Sequence, residues 1–203
     1  VLAIGGKAVG EVATHFLPPG TPGFEQAGGA AGTGADFLQA PSGDRAVAAR
    51  YLQAAGYASG RYEGDEILMV GPREGNGKKI SELSKASLES IGFKVNLRLL
   101  SQQAVMTKYC GAPGAAVAVC PNVGWVRDFA GAQTYLDPTL NGANVLEVGN
   151  ANVSQLDDPG VHALHRDQAA GTGGVDVRDG VGGLVHRAVA QHQQLAAGLV
   201  DDE

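Results

Sequence analysis

The sequence predicts an α/β fold, and three neighbouring stretches carry that prediction. The run Glu66-Ile67-Leu68-Met69-Val70, apolar from Ile67, stops at Gly71-Pro72, as a buried strand does before a residue without a backbone donor. Ile80, Leu83, Ser87, Leu88 and Ile91 then recur at helical spacing as far as Gly92. Phe93, Val95, Leu97 and Leu99 alternate with Lys94, Asn96 and Arg98, the period-two pattern of a half-buried strand. Strand, helix and strand in that order make a βαβ unit, whose strands normally run parallel.

The flanking elements follow from the same rules. Asp44 is a helix cap, and the helix it opens runs from about Arg45 to Ala55, with Val47, Tyr51 and Leu52 on one face and Gly56 as the stop. The polar residues after Pro72, through Lys79, read as a loop. Beyond the second strand, a short helix is expected from Gln102 to Tyr109 and an apolar strand from Ala115 to Cys120. The first 43 residues read as irregular: Pro18-Pro19-Gly20-Thr21-Pro22-Gly23 excludes a helix, and Gly28 to Gly34 is a second permissive stretch. Such a chain is expected to drape over a domain. From His165 onward, 39 residues contain seven glycines and no Phe, Tyr, Trp, Ile, Met, Cys or Lys. Only Val185 to Leu199 keeps an Ala-rich helical pattern, so residues 165–203 are expected to pack weakly.

Bulk properties remove several functional classes. With 203 residues the chain has room for one large domain or two small ones, and 44% apolar content suits a globular core. Its 31 glycines are about twice the usual share. A net charge of −6, with no clustered Lys and Arg, argues against a nucleic-acid partner. No run of 18 apolar residues is present, so no helical membrane span is expected. Val1-Leu2-Ala3-Ile4-Gly5-Gly6-Lys7 lacks an initiator Met and a secretory signal, and the chain reads as a fragment; if the protein is exported, its signal lies upstream.

Catalytic and metal motifs are weak. His162 and His165 are three apart, a spacing that places two imidazoles on one helical face, but no carboxylate or thiol is placed to complete a metal site. Surface histidines are the expectation, with no metal and no cofactor. No Gly-x-Ser-x-Gly elbow occurs. Gly71 to Lys79 follows a strand and precedes a helix as a phosphate loop does. Gly71, however, lies six positions before Gly77 rather than five, and Lys79 stands where the magnesium-binding hydroxyl belongs. A solvated loop is the expectation there.

Two features remain. Cys110 and Cys120 flank the turn Ala112-Pro113-Gly114, and a disulfide between them fits an oxidising compartment, although two buried free thiols fit the spacing too. Gly124-Trp125-Val126-Arg127-Asp128-Phe129 holds the one tryptophan and follows an apolar strand, where α/β folds place ligand sites. An indole supplies an apolar wall, and a carboxylate three residues on meets a cation. The competing reading is a core tryptophan, with Asp128 paired to Arg127 or to a backbone amide.

At these residues a family resemblance enters. Trp125-Val126-Arg127-Asp128, then Asp137-Pro138, Asn141, Asn150, Asn152, Leu156, Asp157-Asp158 and Leu164, resembles the C-terminal region of family 5 extracellular solute-binding proteins, the dipeptide- and oligopeptide-binding class of ABC importers. Ala13 to Gly20 is similar to that family's proline-rich segment. Asp44 to Tyr57 is similar to its helix closing on Ala-Gly-Tyr, and Leu88 to Val95 to its helix-to-strand step.

The resemblance covers about residues 1–164 and implies a periplasmic-binding-protein-like type II lobe, a mixed sheet flanked by helices, here incomplete. It implies an extracytoplasmic binding component rather than an enzyme. The protein would capture a peptide or similar small solute and pass it to ABC permease subunits, touching the membrane only through the permease or a lipid anchor of a lipoprotein. Carried over, Asp128 pairs with the ligand's α-ammonium and Trp125 lines the cavity. Residues 165–203 depart from the family pattern, and the alternative expectation is a truncated, non-functional remnant or structural module.

Overall fold

Asp44 opens the first helix of the structure. In this computed structural model residues 16–32 and 42–161 are described, with the isolated positions 8, 10, 13 and 40. The expectations for Val1 to Lys7, for the histidine pair, for the helix Val185 to Leu199 and for the 165–203 tail lie outside the described residues. The described residues fall into two units: 42–125 with 145–153, and 16–32 with 126–144 and 154–161.

In the first unit, helix α1 (Arg45–Ala54) is capped by the Asp44 carboxylate, which accepts from the amides of Ala46 at 2.7 Å and Val47 at 3.2 Å. Gly56, with φ of 97°, takes the chain out of the helix as expected. The anticipated inner face is only partly realised. Val47 and Leu52 are half-buried, while Tyr51 is 55% exposed, because α1 buries none of its residues fully.

Strand β1 (Ile67–Pro72) and strand β2 (Val95–Leu100) pair in parallel, in register from Ile67 with Val95 to Pro72 with Leu100. Helix α2 (Gly75–Ser90) joins them, so the βαβ unit stands as expected. Among the described residues the sheet is parallel; the antiparallel strands that a mixed sheet implies are not among them. Met69 and Val70 are fully buried, which places β1 at the centre.

Two boundaries differ from expectation. Helix α2 starts at Gly75, not near Ile80, so the supposed loop through Lys79 shrinks to Arg73 and Glu74. Asn76, Lys78 and Lys79 face solvent in the first turns, and an all-polar turn leaves no apolar period to read. Lys78–Glu82 and Lys85–Glu89 pairs, at 3.7 and 3.5 Å, lie along that exposed helix. Secondly, the strand expected from Ala115 to Cys120 is reduced to one parallel bridge, Met69 with Val119. An i→i+2 turn, Val117 N–H to Ala115 C=O at 2.7 Å, bends the chain before it, and Pro121 brings no donor after it.

Small residues seat α2 on β1. Ser81 is wholly buried and donates from Oγ to the Gly77 carbonyl at 2.8 Å. A Cβ on Gly71 would lie 1.9 Å from that Oγ, and a Cβ on Gly77 would lie 2.8 Å from Pro72 Cγ. Glycine is required at both positions for closeness alone. At the opposite end of the sheet, Tyr62 stacks on Phe93 with ring centroids 4.0 Å apart, and Tyr57 meets Tyr62 at 5.1 Å.

After β2, Ser101 caps a short helix α3 (Gln102–Ala104), accepting from the Ala104 amide at 3.3 Å. It continues as π-helical turns over Val105–Cys110. Val105 and Cys110 pack on Val70, with Leu68, Leu100, Val117, Cys120, Val123 and Val153 around them.

The second unit has its own core. Leu17 and Ala27 are buried with Leu136, against Ala132, Tyr135 and Leu140, and Leu156 and Val161 also pack on Leu140. The Pro/Gly-rich segment thus supplies core residues of this unit. Helix α4 (Gln133–Leu140) contains Pro138.

Gly71→Ala is expected to destabilise the first unit by about 1–3 kcal/mol, since overpacking a close contact carries that cost. Gly71→Ala with Ser81→Ala should recover part of the loss in urea melts, because the second change removes the Oγ in the way. Tyr62 supplies a pH test: burial first, then the neighbouring Tyr57 and Asp65, raise its phenol above the ordinary 10.0. The neutral phenol is favoured in the folded state, so its contribution is complete below pH 10.0 and is lost as pH rises through the higher folded value. Urea midpoints should decline above that pH in the wild type and decline less in Tyr62→Phe.

Candidate functional site

Residues 121–127 form neither helix nor strand and lead out of the Val119 bridge. Trp125 closes this part of the first unit and is 40% exposed, which excludes the core-tryptophan reading. Asp128 belongs to the second unit and is exposed. Its amide donates to Thr134 Oγ1 at 2.8 Å, and Thr134 is 1% exposed, so the backbone at Asp128 is fixed by a buried hydroxyl. Among the described residues the Asp128 carboxylate makes no salt bridge, so the pairing with Arg127 is not formed. The apolar neighbours Val126 and Phe129 are 79% and 55% exposed.

The cysteines are joined as a disulfide between Cys110 and Cys120, which decides against free thiols. It ties the end of the π-helical turns to the chain just after the Val119 bridge.

The residues shared with the solute-binding pattern do structural work. Asp137 accepts from Asn141 Nδ2 at 2.8 Å and from Asn144 Nδ2 at 3.1 Å, which closes the end of α4. Asn150, buried, donates from Nδ2 to the Gly111 carbonyl at 3.0 Å and bonds both the amide and the carbonyl of Leu146. Gly111 must be glycine, since a Cβ there would lie 2.4 Å from the Met106 carbonyl oxygen. Asp158 caps the helical residues 159–161, accepting from Gly160 N–H at 2.8 Å and Val161 N–H at 3.1 Å. A helix opening at the acidic pair is therefore present.

One concavity in the first unit is marked by no complete motif in the sequence. A cavity of about 230 Å³ is lined by Pro72, Arg73, Gly77, Leu100, Gln102 and Asn122, among others. It lies off the carboxyl ends of β1 and β2, where parallel sheets place ligands. The Gly71–Lys79 motif marks this edge in the sequence, but Gln102 and Asn122 reach it only through the fold. Arg73 Nε pairs with Glu74 Oε1 at 3.2 Å, so its charge is partly met by a neighbour.

Among the described residues, which do not include His162 and His165, no group of three or more His, Cys, Asp and Glu side chains could hold an ion. Among them, too, no helix is long and apolar enough to cross a membrane.

These features define a portion of an α/β fold, a parallel strand pair joined by a helix. The chain is similar in structure to the clavulanic acid biosynthesis oligopeptide binding protein 2, with a TM-score of 0.71 and 23% identity over 92% of this chain. It spans 34% of the length of that protein. At that identity the likeness establishes the fold. No family model matches the chain, and no curated protein matches it.

Thr134→Val tests how Asp128 is held. Removing the hydroxyl orphans the Asp128 amide, and its hydrogen exchange should speed by roughly tenfold, matching the loss of about one hydrogen bond. Equal exchange in both proteins would mean that the bond does not fix this backbone.

Proposed function

We propose that this chain is part of a family 5 solute-binding protein. As the substrate-binding component of an ABC importer, the protein captures a peptide or similar small solute outside the membrane and delivers it to permease subunits. It is a binding protein and not an enzyme, and it works by closing two lobes around the ligand. The observation that carries the reading is the fold shared with an oligopeptide binding protein over 92% of the chain, at TM-score 0.71. The ordered motifs from Ala13 to Leu164 support it independently.

In this reading Asp128 receives the ligand's α-ammonium and Trp125 provides an apolar wall. An exposed ammonium–carboxylate pair contributes only about 0–1 kcal/mol, too little for capture. Once water is excluded, a charge-assisted hydrogen bond contributes about 1.5–3 kcal/mol. A facing half that covers Asp128 is therefore part of the mechanism, and the exposure of Asp128, Val126 and Phe129 suits a surface that is covered on closure.

Calorimetric titration of the native protein with a panel of short peptides tests the proposal. Asp128→Asn should weaken binding by roughly 10- to 100-fold, the factor equivalent to that bond. Nα-acetylated peptides should bind as weakly to the wild type as free peptides do to the variant. Affinity should also fall as pH rises through about 8, where a peptide α-amino group loses its proton. No heat with any peptide or small solute would favour the other reading, a remnant or structural module.

A further inference from the structure

The segment that carries Trp125 follows a short edge contact with the sheet at residues 118–119. Beyond β1's pairing with β2, its other edge holds residues 118–119 through three backbone bonds. Val70 N–H donates to Val119 C=O at 3.0 Å, and Ala118 and Val119 N–H both donate to Leu68 C=O at 2.9 and 3.3 Å. Two amides sharing one acceptor make a poor ladder, and the bridge at Val119 is a single one. Residues 121–127 then run without helix or strand, with Val123 packed on the Val70 cluster, Asn122 lining the cavity and Trp125 at the end. The disulfide fastens this edge at Cys120 to Cys110, which is 2% exposed in the same cluster.

We propose that the Cys110–Cys120 disulfide is a redox-sensitive latch that holds the Asn122–Trp125 segment against the sheet, and that a dithiol reductant releases this segment without unfolding β1, α2 and β2. The inference does not rest on the identity of any ligand.

The chemistry closes with a dithiol as the only co-reactant. Cys120 is partly exposed and Cys110 is not, so attack falls on Cys120. A reductant thiolate bonds to Cys120 Sγ, the S–S bond breaks, and its electron pair leaves on Cys110 Sγ, which takes a proton. The second thiol of the reductant then displaces Cys120, which is protonated in turn, and the reductant ends as its own disulfide. Two electrons and two protons pass to the pair. The reduced Cys110 thiol has an acceptor in place, since its Sγ lies 3.9 Å from the Val70 carbonyl oxygen. Reduction therefore leaves no orphaned group in the core, and its effect falls on the edge.

The size of the effect follows from the loop. With a sequence separation of 10, the cross-link restricts the opened state. On the chain-entropy account its loss shifts the opening equilibrium by roughly a hundredfold.

Hydrogen exchange of the full chain, with and without dithiothreitol, reads this directly, with alkylation and mass measurement to count free thiols. The expected result is exchange at the Val70, Ala118 and Val119 amides faster by about a hundredfold, with the amides of α2 unchanged. The single tryptophan adds an independent signal, because emission from Trp125 should become more accessible to acrylamide on reduction. Unchanged exchange at those three amides in reduced protein would overturn the latch. So would acceleration to the same degree throughout α2, and so would a disulfide that a dithiol fails to reduce in the native state.

Discussion

The close seating of α2 on β1 is the constraint on which the rest of the described structure depends. Gly71 and Ser81 meet where even a methyl group has no room, and Gly77 lies close to Pro72. That approach buries Met69 and Val70 completely and fixes β1 as the central strand. β1 then presents two edges, one taken by β2 and the other by the short Val119 segment. The cavity, the disulfide and the approach to Trp125 all lie along the second edge or at the carboxyl end of the pair.

Polar residues divide into those that hold the chain and those left to face outward. Asp44, Asp137, Asn150 and Asp158 are each occupied by backbone or side-chain donors at cap or loop positions. Asp128 differs: Thr134 holds its amide, while the residue is exposed and makes no salt bridge among the described residues. In the proposed reading, a main chain held in place with its side chain exposed suits a recognition residue.

The βαβ unit was legible because its periods are clean: a solid apolar run, a helical repeat, then strict alternation from Phe93 to Leu99. The start of α2 was not legible, since its first turns carry glycines and solvent-facing lysines and no apolar residue before Ile80. Nor was the reduction of the Ala115–Cys120 strand to one bridge, which depends on a local turn at Val117 and on competition for the Leu68 carbonyl. The cysteine pairing was left open by spacing alone and is fixed by where the π-helical turns end. Trp125 and Asp128 were picked out from their place after an apolar strand. The cavity residues Gln102 and Asn122 are 20 positions apart and share no motif, so only the fold relates them.

The central claim, recognition of an α-ammonium by Asp128, has a direct spectroscopic reading. The Asp128 side-chain carboxyl carbon can be followed by NMR while a free-amine tripeptide is titrated into the native protein. The account predicts a saturable shift of that resonance and no shift with the same tripeptide acetylated at its α-nitrogen. A tripeptide that binds and perturbs other residues while the Asp128 carboxyl resonance stays in place would contradict it.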